Sequence, residues 1–307
     1  MSDLVFESVL FFPVTPFDAA DRVDEELLAA HVAGGVAAGA GGVFAACGTG
    51  ELHALSVAEA QRVVAVSVEA AAGRVPVVAG AGGSLGTARE LARGAADAGA
   101  DAVLLMPPYL VQGSQTGLLR YVDAVAQASP LPLIVYHRAN AQFTPDSARA
   151  LAADPRVIGI KDGAGDIGRA QELVVAVRSS GRDDFLFFNG LLTAEVSQAA
   201  YRGIGMPLYS SAAFAMAPEV ALAYYRAYIA GDEPARLRLL DRFFLPLVAL
   251  RDETPGFAVS LIKAGLRLKG VPVGSVRPPL TDPDERQTAR LAEILEAGEA
   301  VVRELTR

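Results

Sequence analysis

Three predicted strands end in residues that could carry out chemistry on a carbonyl compound. Lys161 and Tyr136 each close a short apolar run, and the segment Gly48-Thr49-Gly50 follows a third such run. A lysine amine that is shielded from water can attack a keto carbon to form an imine, and a neighbouring phenol can pass protons. A single lysine beyond a strand is usually an ordinary surface residue. Three such strand ends together, however, favour a catalytic site at one end of a barrel.

The elements that must position these residues alternate along the chain. Short apolar runs, which indicate buried strands, are separated by segments with helical patterning, and this order predicts parallel βα units. The eight predicted strands cover residues 9–12, 42–46, 75–79, 102–106, 133–136, 157–161, 185–189 and 206–210. Eight such units predict a (βα)8 TIM barrel, because a Rossmann-type sheet usually has about six strands.

The remainder of the chain predicts helices that pack on this barrel. We expect them near residues 218–230, 234–250, 256–268 and 283–306, and no polar linker separates them from the preceding segment. The predicted organisation is one structural unit, with the barrel in residues 1–230 and a C-terminal helical appendage in residues 231–307. A capping box at Ser56 and Glu59 also predicts the start of an earlier helix.

The composition limits the classes of partner. The 307 residues carry a formal net charge of −8, and an acidic chain lacks the basic face that nucleic-acid binding requires. The uncharged stretch 27–47 has transmembrane length, but its five glycines favour a helix, a turn and a strand. One cysteine fits a reducing cytoplasm, and the three histidines lack the spacing of metal ligands. We therefore expect a cytoplasmic protein that binds neither nucleic acid nor membrane and has no metal.

Two glycine-rich segments follow the second and third predicted strands. The backbone N–H groups of Gly48, Thr49 and Gly50, with the threonine hydroxyl, could hold a carboxylate. A plain strand-to-helix turn explains the same residues equally well. Residues 80–83 resemble a dinucleotide-binding loop but lack its last glycine, because Leu85 stands there. We interpret them as a turn.

Polar residues beyond the later strands are further candidates for binding. Arg138 suits bidentate binding of a carboxylate, although a solvated loop arginine is about as common at such a position. Amide, hydroxyl and backbone contacts to a polyhydroxy acid could come from Asn140, Asn189, Gly190 and Ser210. Each of these four is nonspecific by itself.

The order and spacing of these motifs resemble the pyruvate-dependent class I aldolase family, which includes dihydrodipicolinate synthase and N-acetylneuraminate lyase. The resemblance covers nearly the whole chain and rests on segments 11–18, 47–51, 136–141, 161–166, 209–212, 243–246, 263–265 and 276–282. It implies that Lys161 forms a Schiff base with a keto acid, that Tyr136 relays protons, and that no cofactor is required. It also implies a homotetramer built as a dimer of dimers, with the loop near Tyr109 at an interface.

Departures from the family pattern bear on the substrate. The family's carboxylate loop reads Gly-Thr-Thr-Gly-Glu, and Gly48 here replaces the first threonine, a proton-relay residue in the synthases. Ala141 stands where the synthases have a substrate-binding arginine. Retained imine chemistry with a changed second half of the site implies the branch that removes water and carbon dioxide from a keto-deoxy sugar diacid. Arg138 would then face the distal carboxylate of that substrate.

Two other functions are compatible with the sequence. A lyase of the same family could act on another 2-keto-3-deoxy sugar acid, and it would release pyruvate rather than carbon dioxide. A non-catalytic sensor of sugar acids could use an inactive barrel, but the presence of both Lys161 and Tyr136 argues against it. Borohydride trapping of an imine distinguishes the enzyme from the sensor.

Overall fold

Eight parallel strands close into a barrel in the computed structural model, which describes residues 4–306. The strands follow each other around the barrel in chain order, and the eighth pairs with the first. Their bounds are Leu10–Phe11 (β1), Gly42–Ala45 (β2), Val77–Gly83 (β3), Ala102–Pro108 (β4), Leu133–His137 (β5), Val157–Asp162 (β6), Leu186–Asn189 (β7) and Leu208–Ser211 (β8). The predicted (βα)8 barrel is confirmed.

A helix follows each strand and covers the outside of the barrel. These helices are Glu25–Ala38 (α1), Val57–Ala71 (α2), Leu85–Asp97 (α3), Gln115–Ala126 (α4), Pro145–Ala153 (α5), Ile167–Arg178 (α6), Gln198–Gly203 (α7) and Pro218–Ala230 (α8). Ser56 and Glu59 form the predicted capping box at the start of α2. Each of the two side chains accepts a hydrogen bond from a backbone N–H that the helix leaves free.

Two apolar layers explain why the strands are continuous hydrophobic runs. The inner layer fills the barrel and includes Leu10, Phe44, Val78, Leu104, Ile134 and Phe188. The outer layer packs the opposite faces of the strands against the helices. Because both faces of each strand are covered, neither face carries the polar alternation of a half-exposed sheet.

The structure corrects the interpretation of residues 80–83, which belong to β3 rather than to a turn. A Cβ atom on Gly80 would collide with the carbonyl oxygen of Ala46. Glycine therefore lets β3 pass close to the end of β2. A local reading of glycine as a turn signal misses this approach, because the neighbouring backbone belongs to another strand.

The uncharged stretch 27–47 contains the helix, turn and strand expected from its glycines. Helix α1 ends at Ala38, and Gly39 adopts a left-handed conformation with a φ of 109°. This conformation favours glycine and ends the helix before β2 begins at Gly42. No helix within residues 4–306 combines the length and the apolar character that crossing a membrane requires.

Four more helices follow the barrel, namely Glu233–Leu239 (α9), Leu245–Arg251 (α10), Phe257–Leu268 (α11) and Glu285–Leu305 (α12). The single helix expected over 234–250 is interrupted by a π-helical turn at Leu240–Phe244. This wider turn buries Phe243 and Phe244 against α8 and α12. Helix α11 packs against the short turn that follows β8. The division of the chain at residue 230 stays a prediction.

Candidate active site

Lys161 and Tyr136 lie side by side near the carboxyl end of the barrel. They are register partners on the neighbouring strands β6 and β5, so both side chains point to the same face of the sheet. The Lys161 Nζ lies 4.5 Å from the centre of the Tyr136 ring and 4.4 Å from the centre of the Phe12 ring. The structure thus brings together the two residues expected to carry the chemistry.

Lys161 differs from the other two lysines of the chain in its partners. Lys263 and Lys269 form ion pairs with Glu51 and Glu299. Lys161 is only 5% exposed, and within the described part of the chain it forms no ion pair. Its amine is therefore covered by aromatic rings and is not held by a carboxylate.

The Tyr136 phenol belongs to a hydrogen-bonded chain at the pocket. Its hydroxyl donates to the carbonyl oxygen of Gly190 at 2.7 Å, and it accepts a hydrogen bond from Arg138 Nη1 at 3.1 Å. The guanidinium of Arg138 therefore lies beside the phenol. The arginine can orient the hydroxyl next to Lys161, and the phenol can exchange protons with a group bound there.

Gly190 packs directly against the lysine. A Cβ atom at this position would lie 2.6 Å from Lys161 Cγ, a distance shorter than van der Waals contact. The glycine follows β7, and its backbone N–H donates to the carbonyl oxygen of Asp162. Glycine thus lets this loop approach the lysine stem while its carbonyl oxygen positions the phenol of Tyr136.

The loop after β2 presents free backbone donors. No hydrogen bond within residues 4–306 uses the N–H group of Gly48, Thr49 or Gly50, and the carbonyl oxygen of Gly50 accepts from Thr15 Oγ1 at 2.7 Å. Successive free N–H groups in a turn form a concavity that binds anions. These free donors could hold a carboxylate, and the predicted carboxylate loop of Gly48, Thr49 and Gly50 stays a prediction.

A buried ion pair holds the end of this loop. Glu51 has a left-handed backbone with a φ of 57°, and its Oε1 lies 2.6 Å from Lys263 Nζ on α11. Both side chains are fully buried. Lys263 Nζ also donates to the Ser275 carbonyl oxygen at 2.9 Å, and Glu51 Oε2 accepts from the Arg277 N–H at 2.9 Å. The carboxylate loop is therefore tied to the C-terminal helices, a link that no local motif indicates.

A cavity of about 630 Å³ connects these groups. Its lining includes Phe12, Gly48, Thr49, Tyr136, Arg138, Lys161, Gly190 and Ser210, together with residues from the C-terminal helices. The lysine, arginine and acidic side chains among the lining residues are Lys161, Arg138, Arg251 and Asp252. The sequence reasoning missed Arg251, because no strand end or motif marks it.

Two predicted binding residues have side chains that are engaged elsewhere. Asn189 donates to Ala194 O, Ser197 Oγ and Gln198 Oε1 at 3.0 to 3.2 Å. Strand alternation explains this, because Asn189 follows the inward-facing Phe188 and points out of the barrel. The amide of Asn140 donates to the carbonyl oxygens of Pro108 and Val111, both at 2.7 Å. The expected amide contacts to the ligand are thus corrected to contacts that hold loops.

His137, His31 and Cys47 do not line the cavity. His137 alternates outward from Tyr136, and its Nδ1 accepts a hydrogen bond from the N–H of Phe143 at 3.0 Å. Burial lowers the pKa of His31 to about 4 and raises the pKa of the Cys47 thiol to about 12. These two groups therefore stay neutral near pH 7. Residues 4–306 contain no group of three or more His, Cys, Asp or Glu side chains that could hold a metal ion.

The fold and the site define a class of protein, a (βα)8 barrel with a lysine and a tyrosine paired at the carboxyl ends of its strands. The chain belongs to the dihydrodipicolinate synthetase family, whose model matches residues 5–298. The family resemblance found in the sequence is confirmed.

Individual relatives agree with this assignment. A protein from Streptomyces griseus named a probable 5-dehydro-4-deoxyglucarate dehydratase is 53% identical, over 96% of this chain and 92% of its own. A crystal structure of dihydrodipicolinate synthase from Oceanobacillus iheyensis superposes with a TM-score of 0.88 at 27% identity, over 96% of this chain and 97% of that one. The structure of YagE from E. coli K12, solved in complex with pyruvate, gives a TM-score of 0.85 at 26% identity, over 96% of this chain and 99% of that one.

Proposed function

We propose that this protein is a Schiff-base-forming dehydratase and decarboxylase. Its substrate is 5-dehydro-4-deoxy-D-glucarate, an intermediate of sugar-acid catabolism, and its products are 2,5-dioxopentanoate, water and carbon dioxide. The observation that carries the proposal is the buried, unpaired amine of Lys161 in contact with the Tyr136 ring. The name of the Streptomyces griseus relative supports the choice of substrate, and the pyruvate complex of YagE supports a keto acid as the kind of ligand.

The reaction begins at the keto carbon next to one carboxylate. Lys161 attacks this carbon and, after loss of water, forms a protonated imine that can accept electrons. The neighbouring Tyr136 hydroxyl, held by Gly190 and Arg138, passes protons during these steps. The carboxylate beside the imine binds to the free N–H groups of Gly48 and Thr49 and to the Thr49 hydroxyl.

Elimination and decarboxylation then use the same imine. Loss of a proton from the adjacent methylene gives an enamine, which expels the β-hydroxyl as water. The resulting conjugated imine accepts the electron pair released when the far carboxylate leaves as carbon dioxide. Protonation and hydrolysis release 2,5-dioxopentanoate and return the free amine, so that one lysine serves both steps and neither step calls for a metal or an organic cofactor.

The test combines product analysis with trapping. The wild-type protein is incubated with 5-dehydro-4-deoxy-D-glucarate, and mass spectrometry measures the products and, after borohydride, the protein adduct. We expect carbon dioxide, 2,5-dioxopentanoate and an adduct on Lys161, with turnover lost by several orders of magnitude in Lys161→Ala. The ion-paired Lys269 provides the matched control, since Lys269→Ala should retain turnover and adduct.

Other outcomes would assign another function. Release of pyruvate instead of carbon dioxide would indicate the lyase of the same family. Binding of the sugar acid without an adduct on any lysine would indicate the sensor and contradict imine catalysis.

We also propose that the protein is a cytoplasmic homotetramer built as a dimer of dimers. The loop after β4 supports this assembly, because Tyr109, Leu110 and Val111 expose 67%, 79% and 64% of their surface. Three adjacent apolar side chains in water are typical of a surface that contacts another chain. The one cysteine of the chain agrees with a reducing compartment.

A further inference from the structure

Arg251 brings a second guanidinium to the cavity from outside the barrel. It is the last residue of α10, its side chain is 15% exposed, and it lines the same cavity as Lys161. Its Nε pairs with Asp252 at 2.8 Å and its Nη1 donates to Thr193 Oγ1 at 3.0 Å. An arginine has five N–H donors, and the other three form no hydrogen bond within residues 4–306. The guanidinium is thus held in place with free donors.

The two arginines of the cavity occupy different places along it. Arg138 donates to the Tyr136 phenol, which lies against Lys161. Arg251 instead contacts Thr193. This threonine comes three residues after Gly190, the glycine that packs against Lys161. Three residues span at most about 11 Å, so Thr193, the partner of Arg251, lies within that distance of Gly190.

The length of the proposed substrate falls within this span. Four carbon–carbon bonds, each about 1.5 Å long, separate its keto carbon from the carbon of its far carboxylate. With the keto carbon on Lys161, the far carboxylate therefore extends about 5 Å along the cavity. A hydrogen bond of about 3 Å then joins it to a guanidinium.

We propose that Arg251 binds the distal carboxylate of a keto-diacid substrate, in place of Arg138. This inference rests on the proposed function and adds a specificity-determining residue to it. The planar guanidinium offers two parallel N–H donors to a carboxylate, and its contact with Asp252 uses Nε, so the donors on Nη1 and Nη2 that remain free can serve this purpose. Arg138 stays with the phenol as part of the proton-transfer machinery.

The test uses two probes that differ in the distal carboxylate. Pyruvate has one carboxylate, whereas 2-oxoadipate is a six-carbon keto diacid without hydroxyl groups. Borohydride trapping, followed by mass spectrometry, gives the probe concentration that half-saturates the adduct on Lys161. In Arg251→Met we expect this concentration to rise about 10- to 100-fold for 2-oxoadipate, the effect of losing one charged hydrogen bond, and to stay nearly unchanged for pyruvate.

Three further variants make the result specific. Arg251→Gln should give the same difference between probes, and it serves if the methionine variant does not fold. Arg138→Met should weaken trapping of both probes, because it disturbs the phenol beside Lys161. Arg290→Met, on an exposed arginine that also pairs with a nearby acid, should change neither.

Two results would overturn the inference while the proposed function stands. One is unchanged trapping of 2-oxoadipate in both Arg251 variants, and the other is an equal loss for both probes. If the wild-type protein traps neither probe, imine chemistry itself is contradicted and both proposals fall together.

Discussion

Two hydrogen bonds hold the hydroxyl of Tyr136 in place. It donates to Gly190 O and accepts from Arg138, and the ring that carries it lies against the Nζ of Lys161, the lysine that we expect to react. Its ring is also part of the barrel core. The ring and the hydroxyl therefore have separable roles in packing and in proton transfer.

We predict that Tyr136→Phe keeps the fold and loses turnover. The ring, which belongs to the inner layer with Phe188 and Ile134, stays, and loss of the buried hydrogen bond costs about 1 kcal/mol of unfolding free energy. Turnover should fall about 100-fold or more, because proton transfer by a general acid–base group contributes at least that much. Steady-state kinetics with the proposed substrate measures this.

Tyr225→Phe is the matched control for this prediction. Its hydroxyl also donates to a backbone carbonyl, that of Glu7 at 3.0 Å, but it lies on α8 away from the cavity. We expect normal turnover in this variant. If Tyr136→Phe behaved in the same way, the phenol would be a packing residue only.

At the scale of elements, the carboxylate loop depends on a helix more than 200 residues further along the chain. Glu51 ends the loop, and its partner Lys263 lies on α11. Burial lowers the pKa of Lys263, and the neighbouring Glu51 carboxylate opposes this shift. A buried pair of this kind adds little stability over an apolar pair, but removing one partner leaves a costly unpaired charge.

We predict that Glu51→Gln and Lys263→Met each lower the free energy of unfolding by about 3–5 kcal/mol. The double variant should recover a large part of this loss, since it removes both charges. In the single variants the left-handed turn at Glu51 loses its anchor, so pyruvate should half-saturate trapping at a higher concentration. Denaturant unfolding and borohydride trapping measure the two effects.

The exposed pair Lys269–Glu299, with side chains 30% and 38% exposed, provides the comparison. Glu299→Gln should change stability by less than about 1 kcal/mol, as surface pairs usually do. If the double variant lost as much unfolding free energy as the two single variants together, the two buried side chains would not depend on each other.

At the scale of the whole molecule, one buried carboxyl makes stability depend on pH. Burial raises the pKa of Glu195 to about 7, although the hydrogen bond from Ser211 opposes the shift. The unfolded chain releases this proton near pH 4.5, whereas the folded protein keeps it to about pH 7. Binding of this proton therefore adds to the free energy of unfolding. The added stability is fully present below pH 4.5 and is lost as the pH rises through 7.

We predict that Glu195→Gln removes this pH dependence. A pKa that moves from 4.5 to about 7 corresponds to about 3 kcal/mol of unfolding free energy between pH 4.5 and pH 8. The unfolding free energy of the wild type should thus fall by this amount from pH 4.5 to pH 8, and that of the variant should not. Urea unfolding at both pH values measures this, and Glu219→Gln, at an exposed position, is the control. If the unfolding free energies of the wild type and Glu195→Gln changed in parallel with pH, the assignment would be contradicted.

The proposed tetramer can be tested in solution. Sedimentation at micromolar concentration should give the mass of four chains, and Leu110→Asp, in the exposed loop after β4, should give smaller particles because it places a charge in an apolar interface. Leu237→Asp is the matched control on α9, where the leucine is 50% exposed. A fully active monomer would rule out this assembly.

The fold class, and the places of Lys161 and Tyr136 on neighbouring strands, could be predicted from the sequence. Each strand is a short apolar run, and its polar end residue can be read from neighbours in the chain, so the eight strands, Lys161 and Tyr136 could be predicted from local patterns. The family resemblance added the expected chemistry. The interpretation of residues 80–83 as a turn was wrong, because they belong to β3. Glycine is needed at position 80 because β3 passes close to the backbone of Ala46 there.

Which other residues share the cavity depends on how distant parts of the chain pack together. Asn189 is a strand-end residue like Lys161, but alternation turns it outward to Gln198. Arg251 reaches the cavity, and Lys263 reaches Glu51, because the C-terminal helices pack over the end of the barrel. Contacts between residues far apart in the chain depend on the packing of whole elements, and no local propensity or spacing records them.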